Sequence, residues 1–488
     1  MTEALDQPWR RLDLRMLLVH PVNEVVRFFP ALLAAYVIGS SSDNGGWWHL
    51  AALGVPVLIG VGRFLTTRYR ITATQLELRR GLVSRNVLTA PLDRVRTVEL
   101  TSPPIHRLLR LAQVRIGTGS ASGSGNEKVV LDSLPLGEAR SLRSALIHNV
   151  GLAVKSDVTA DDVLLRLDPA WVRYAPLTTS GVVIAVAGLG AASQFIEPVI
   201  NRLQRSSVSL PSVPIWAGVV AAILVFVVVS SVLAIAGYVV ANWGFTVARD
   251  RSGRSFHIAR GLLTTRETSL DSERLRGLEV HEPLGLRLAG AARATAIATG
   301  LRRSDRNSAT LVPPAPRAVV EGVGGLVLGD SAVLTAPLTS HGPVARRRRY
   351  TRAVTGALLL AAALVLVLES LSVPHVLDVL AAAPLVAAVP LAADRGRRLG
   401  HGLVGRWFVT SRNTLRGRRD VLDTNGIIGW SLGQSFFQRR VGLTNLTATT
   451  GAGKQAYGVY DVPEPAALAL LRAADPGLFE PFLRVDIE

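Results

Sequence analysis

The chain has no cysteine. That excludes disulfides, thiolate metal sites and a cysteine nucleophile at once. Aromatic residues make up only 6%, with no stacking ladder of the kind that nucleic-acid binding uses. Lysine is almost absent: of 54 basic residues, only Lys128, Lys155 and Lys454 are not arginine. The nine histidines are scattered, without ligand spacing to carboxylates. No Gly-x-Ser-x-Gly elbow with placed partners occurs. "GAGK" (451–454) has neither the spacing of a phosphate loop nor a following Ser or Thr. These absences lead us to expect no enzyme activity, no cofactor, no metal and no nucleic-acid partner.

What is present is apolar and basic. Of 488 residues 49% are hydrophobic, and the formal net charge is +18; mean hydropathy is +0.32. A spanning helix needs about 20 mostly apolar residues. Six segments approach this and come in pairs: 28–42 with 47–65, 177–196 with 214–240, and 353–373 with 375–393. Each pair reads as a hairpin with both ends on one side. Arginines flank the hairpins, for example Arg10, Arg11, Arg15 and Arg27 before the first and "ARRRRYTR" (345–352) before the third. Arginine-rich short segments stay cytoplasmic, so both termini and all long segments are expected there. The N-terminus lacks a small-residue cleavage site after a compact apolar core, and we expect no removable signal peptide.

After each hairpin the pattern changes. Leu76 and Leu78 alternate with Gln75, Glu77 and Arg79, and Val114 and Ile116 alternate with Gln113 and Arg115. Period-two alternation punctuated by glycine predicts short antiparallel strands, and "LPLGEARSLRSALI" (134–147) then has helical spacing. The stretch repeats: "RGLVSRNVLTAPLDRVRTVEL" (80–100) aligns without a gap to "RGLLTTRETSLDSERLRGLEV" (260–280), with Gly81 and Gly261 at a turn. A diverged third copy runs over 406–454 and ends in a strand and an alanine-rich helix (457–474). In the second copy "PPAPRAVVEGVGGLVL" (313–328) stands where the helix should be, its glycines counting against a helix. The expected order is an N-terminal segment 1–27, hairpin 28–65, β-domain 66–150, linker 151–176, hairpin 177–240, β-domain 241–330, basic linker 331–352, hairpin 353–393 and β-domain 394–488.

Arg80-Gly81, "LDRVRTVE" (92–99) and "SPPIHRLLRLAQVRIGTGS" (102–120) resemble the bacterial pleckstrin-homology-like (PH-like) domain. "QSFFQRRVGLTNLTATTGAG" (434–453) is similar to that family's glutamine–proline–arginine–glycine–leucine run. Three copies, each behind a membrane hairpin, resemble YdbT-type membrane proteins. There are departures: Ser102 and Glu282 stand where the third copy has Gln434, Arg110 replaces a glycine, and "NGIIGWSLG" (425–433) replaces "DRVRTVE". The resemblance implies an α+β membrane protein, with six transmembrane helices in three hairpins alternating with three small β-sandwich or barrel domains. Each domain would be seven-stranded and capped by a C-terminal helix. It further implies a non-enzymatic role, a link to antimicrobial-peptide or bacteriocin resistance, and a smaller single-domain companion protein.

Candidate contacts for anionic inner-leaflet lipid or a partner are Arg94, Arg96, Arg274 and Arg276, since arginine forks match phosphate geometry. The same residues, beside Glu99 and Glu279, equally read as a solvated strand face with cross-strand ion pairs. Arg346, Arg347, Arg348 and Arg349 read as a topology signal, with lipid contact worth roughly 1 kcal/mol each near the surface. Arg107, Arg287 and Arg439 occupy matching places and read as structural, like Gly81 and Gly261. A second functional reading is a transporter or exporter subunit with regulatory β-domains. It needs a polar pathway through the spans, whereas "AVAGLGAAS" (185–193) suits helix packing.

Overall fold

A computed structural model describes, apart from short gaps, residues 9–19, 58–117, 129–148, 162–183, 215–299, 309–370, 379–412 and 415–477. Its element order recurs three times. The first round is β1 (Arg10–Arg11), β2 (Arg68–Ile71), β3 (Gln75–Arg80), β4 (Asn86–Pro91), β5 (Thr97–Ser102), the short helix α1 (Pro104–Leu108), β6 (Leu111–Gly117), β7 (Val129–Pro135) and α2 (Leu136–His148). The second is β8 (Asp162–Arg166), the long helix α3 (Ile215–Asn242), β9 (Thr246–Arg249), β10 (Ser255–Arg260), β11 (Thr265–Asp271), β12 (Leu275–Pro283), α4 (Leu284–Leu288), β13 (Ala291–Ala298), β14 (Thr310–Pro316) and α5 (Arg317–Leu328). The third is β15 (Thr339–Ser340), α6 (Gly342–Ser370), α7 (Ala383–Arg397), β16 (Gly400–Val404), β17 (Trp407–Arg412), β18 (Arg416–Asp423), β19 (Ile427–Gly433), α8 (Phe436–Arg439), β20 (Leu443–Thr450), β21 (Ala456–Pro463) and α9 (Glu464–Ala474).

Each round therefore supplies four antiparallel strands, then three, then a helix. The first strand of each set of four precedes the segment expected as a hairpin. These strands, β1, β8 and β15, fall in the stretches expected as N-terminal segment and linkers. They are two, five and two residues long and are cut off from their sheets by the intervening hairpin sequence, so no local periodicity marks them. Helix α5 forms despite its glycines, two of which lie at close approaches. A Cβ on Gly324 would come within 2.4 Å of Leu334, and one on Gly325 within 2.8 Å of Ser331. The prolines of "TLVPPAP" are tolerated because β14 is the outermost strand of its sheet, where a missing donor costs no ladder bond.

The chain divides into two compact units, Met1–Arg166 with Val240–Arg274, and Leu167–Val239 with Leu275–Glu488. In the first, two sheets enclose a core in which Tyr69, Leu76, Leu78 and Ala90 meet Leu100, Val114, Ile116 and Leu131, with Ala139 and Leu142 of α2 closing one end. In the second, Phe408 and Leu422 meet Leu446, Ala448, Tyr457 and Val459, closed by Ala467, Leu470 and Leu471 of α9. Full burial of each large side chain stabilises by about 1.5–3 kcal/mol, so each core is held by many such contributions.

The sheets do not stop at repeat boundaries. In the first unit β5 pairs with β11, giving a seven-stranded sheet of order β7-β6-β5-β11-β10-β9-β8. In the second unit β12 pairs with β18, giving β14-β13-β12-β18-β17-β16-β15. Each joint unites the three-stranded half of one repeat with the four-stranded half of the next.

Two described helices are long and apolar enough to cross a membrane: the Ile223–Asn242 part of α3, with hydropathy 2.7, and α6, with hydropathy 2.2. Helix α7, from the last of the expected spans, has 15 residues and contains Pro390. Segments 28–42, 47–65 and 177–196 lie wholly or largely outside the described residues.

Candidate functional site

The expected arginines go to different places. Arg94 and Arg96 lie outside the described residues. Arg274 ends a 3-10 turn (Ser272–Arg274) rather than lying on a strand; its guanidinium donates to the carbonyl of Val95 and pairs with Asp271 at 3.4 Å. Arg276 lies in β12 with its stem against Gly426, where a Cβ would come within 2.7 Å of the arginine Cδ. The run at the start of α6 splits. Arg346 and Arg347 are exposed, whereas Arg348 and Arg349 turn inward to Asp461, at 3.3 and 2.6 Å. Gly81 and Gly261 have φ of 138° and 107°; at Gly261 a Cβ would lie 2.0 Å from the Thr264 carbonyl oxygen.

Arg107 and Arg287 anchor the short helices α1 and α4. Arg107 donates to the Leu262 carbonyl, and Leu262 in turn donates its N–H to the Val240 carbonyl at 2.9 Å, in the last turn of α3. Arg287 pairs with Asp394, in the last turn of α7, at 2.9 Å. In both cases the arginine ties a short helix to the end of the helix that precedes the next repeat's second strand. The next residue points outward: Leu108 is 83% and Leu288 78% exposed. In the third repeat Arg439 is exposed beside the exposed Phe436 and Phe437. The 180-residue offset that aligns Gly81 with Gly261 also aligns Leu108 with Leu288, so the repeat itself carries this pattern in the sequence.

Two buried polar networks were not anticipated. The first lies at the β12–β18 joint. Glu279 accepts from the Tyr457 hydroxyl at 3.1 Å and pairs with Arg418 at 2.7 Å, Lys454 at 3.0 Å and His281 at 3.2 Å. Arg418 also reaches the fully buried Asp420, which Arg412 approaches at 3.4 Å. Burial raises the Asp420 carboxyl to about 6 against the pull of Arg418. Burial also pushes Glu279 upward, but the His281 hydrogen bond and the Arg418 charge outweigh it and leave the group below its usual value. With each carboxylate held by cations, the network fastens the joint between adjacent repeats. Arg418 and Asp420 share a face by period two, but charge on a core-facing row cannot be told from charge on a solvent-facing row in sequence alone.

The second network lies at the root of α6. His341 Nδ1 donates to the Tyr460 carbonyl at 3.0 Å, because a carbonyl can only accept. His401 Nδ1 lies 3.0 Å from His341 Nε2, which is then the acceptor. Burial, and next the neighbouring His401, push His341 down to about 4; burial lowers His401 also. Asp461, with its arginine pair, is the residue following Tyr460. Among the described residues no group of three His, Cys, Asp or Glu side chains is placed to hold a metal ion.

The fold is α+β, and its first repeat carries a family signature. A family model of the bacterial PH domain matches residues 26–150, which includes β2 to β7 and α2. No curated protein and no solved structure matches the chain.

Proposed function

We propose that this chain is a non-enzymatic, multi-pass membrane protein of the YdbT type. Its three PH-like domains are cytoplasmic modules that bind or scaffold at the inner leaflet. The observation that carries this reading is the position of the short helices. Leu108 and Leu288 are exposed on helices tied by Arg107 to the end of the long apolar α3 and by Arg287 to the end of α7, which packs against the long apolar α6. An apolar side chain beside arginine at the end of a span suits the interface between acyl chains and anionic headgroups.

The long helices add support. Only 11% of the apolar window of each is buried, whereas the core helix of a soluble protein is covered by its own fold. Helix α3 ends at Asn242 and β9 begins at Thr246; α7 ends at Arg397 and β16 begins at Gly400. Connections this short hold the β-sheets against the surface from which the helices emerge. Tethering several weak sites to one surface raises their effective concentration, so avidity replaces individual affinity. A smaller single-domain companion and a role in envelope stress or peptide resistance belong to this reading.

The test is purification from native membranes with identification of bound lipid and protein. The protein is compared with a variant carrying Leu108→Asp, Leu288→Asp, Arg346→Glu and Arg347→Glu. The expected result is anionic lipid enriched over the bulk membrane and lost from the variant. Neither lipid nor protein above the variant's background would overturn the reading.

A further inference from the structure

The two joints between repeats share one register. In the first, Leu100 of β5 faces Glu267 of β11; in the second, Val280 of β12 faces Arg419 of β18. Glu267 and Arg419 each lie four residues before the aspartate that ends its strand, Asp271 or Asp423. Val280 lies nine residues after Asp271, and Leu100 nine after Pro91, the counterpart of Asp271 in the first repeat. The neighbouring pairs agree as well: Glu99 faces Thr268 and Glu279 faces Asp420.

Joining the three described repeats in this way leaves two half-joints without a strand partner among the described residues. These are β4, the last strand of the first four-stranded sheet, and β19, the first strand of the last three-stranded sheet. Among the described residues no strand pairs with the outer edge of either. The joint register places Val87 opposite Leu432, four residues before Pro91 and nine after Asp423. At the made joints the counterparts of Leu432, Leu100 and Val280, are buried and those of Val87, Glu267 and Arg419, are half-buried, whereas Val87 is 52% and Leu432 45% exposed. At the made joint a Cβ on Gly277 would meet the Val421 carbonyl oxygen at 1.8 Å; its counterpart Gly429 has nothing within 4 Å. Arg107 and Arg287 each reach the repeat that follows, whereas Arg439, in the matching place of the third repeat, is exposed.

We infer that β19 of one copy of this chain receives β4 of a second copy, antiparallel and in the joint register. The product is a third seven-stranded sheet, β21-β20-β19-β4-β3-β2-β1, with the strand order of the other two. The contact is strand addition at an open edge. It is heterologous, since β4 and β19 are different surfaces, so copies associate head to tail. The inference stands on sheet topology and goes beyond the membrane reading; lipid could bind without it.

The absence of cysteine makes the test clean. Val87→Cys and Leu432→Cys variants carrying different tags are co-expressed, and native membranes are oxidised. The expected product is a disulfide-linked species with both tags, at least tenfold more abundant than with Val87→Cys and the off-register Ile428→Cys. Both target residues are exposed, so folding is unaffected. As a second measurement, unsubstituted protein taken out in native lipid discs should have the mass of two or more chains. A single-chain mass, linkage with no register preference, linkage between identical variants, or only an intramolecular bond in the doubly substituted chain would each overturn the inference.

Discussion

Asp461 is 1% exposed and holds Arg348 and Arg349 at the root of α6. Removing one partner of a buried ion pair leaves the other charge uncompensated and costs about 3–5 kcal/mol. Asp461 has φ of 56°, a conformation that asparagine tolerates. Asp461→Asn therefore removes the charge without straining the backbone, and the apparent melting temperature in detergent should fall by several degrees. Arg347→Gln, at an exposed position, should leave it unchanged. His341 gives a pH dependence. Its folded-state value is about 4 against an ordinary 6.5. Between those values the unfolded chain binds a proton that the folded chain does not, so this contribution is intact above pH 6.5 and is lost as pH falls toward 4. Asp420 acts oppositely: raised from 3.8 to about 6, it favours the fold less as pH rises through that window. His341→Gln should therefore flatten the acid side of a melting-temperature profile, read from pH 7 to pH 4 against the unsubstituted protein. A profile unchanged in slope would contradict the neutral histidine pair.

At the scale of elements, the strands and terminal helices were legible because their signals are local. Alternation in β3 and β6, glycine at the turns and helical spacing in α2 all lie within a few residues of the feature they specify. The joints were not legible. Strands β5 and β11 are more than 160 residues apart, and their pairing depends on edge geometry rather than composition. The inward turn of Arg348 and Arg349 was equally hidden: a run of four arginines reads as one feature until Asp461, far along the chain, divides it. Glycine separates a made joint from an open edge. Gly277→Ala should destabilise the fold, because its Cβ meets the Val421 carbonyl and φ of 148° disfavours a side chain. Gly429→Ala should leave the melting temperature within about 1 °C, since space is open there, but should reduce head-to-tail cross-linking. Equal effects of the two substitutions on melting would contradict the difference between the edges.

For the whole molecule, the triplication visible in the sequence shapes the proposed function. A single sheet half cannot cover its own edge; three repeats in series make two joints and leave two edges. In the proposed function the expected hairpins set the side of the membrane on which these joints form. Arg346 at the start of α6 packs against Gly396 near the end of α7, where a Cβ would come within 2.7 Å of the arginine Cγ. The two basic ends of that helix pair therefore adjoin. Topology mapping with single cysteines tests the central claim most directly. Ser141→Cys, Ser252→Cys and Ala473→Cys mark the three β-domains, and Asn44→Cys, Ser207→Cys and Ser372→Cys mark the expected hairpin tips. With a membrane-impermeant maleimide on intact cells, the account predicts labelling of the three tip cysteines and protection of the three domain cysteines until the membrane is opened. Labelling of any β-domain cysteine from outside would contradict it.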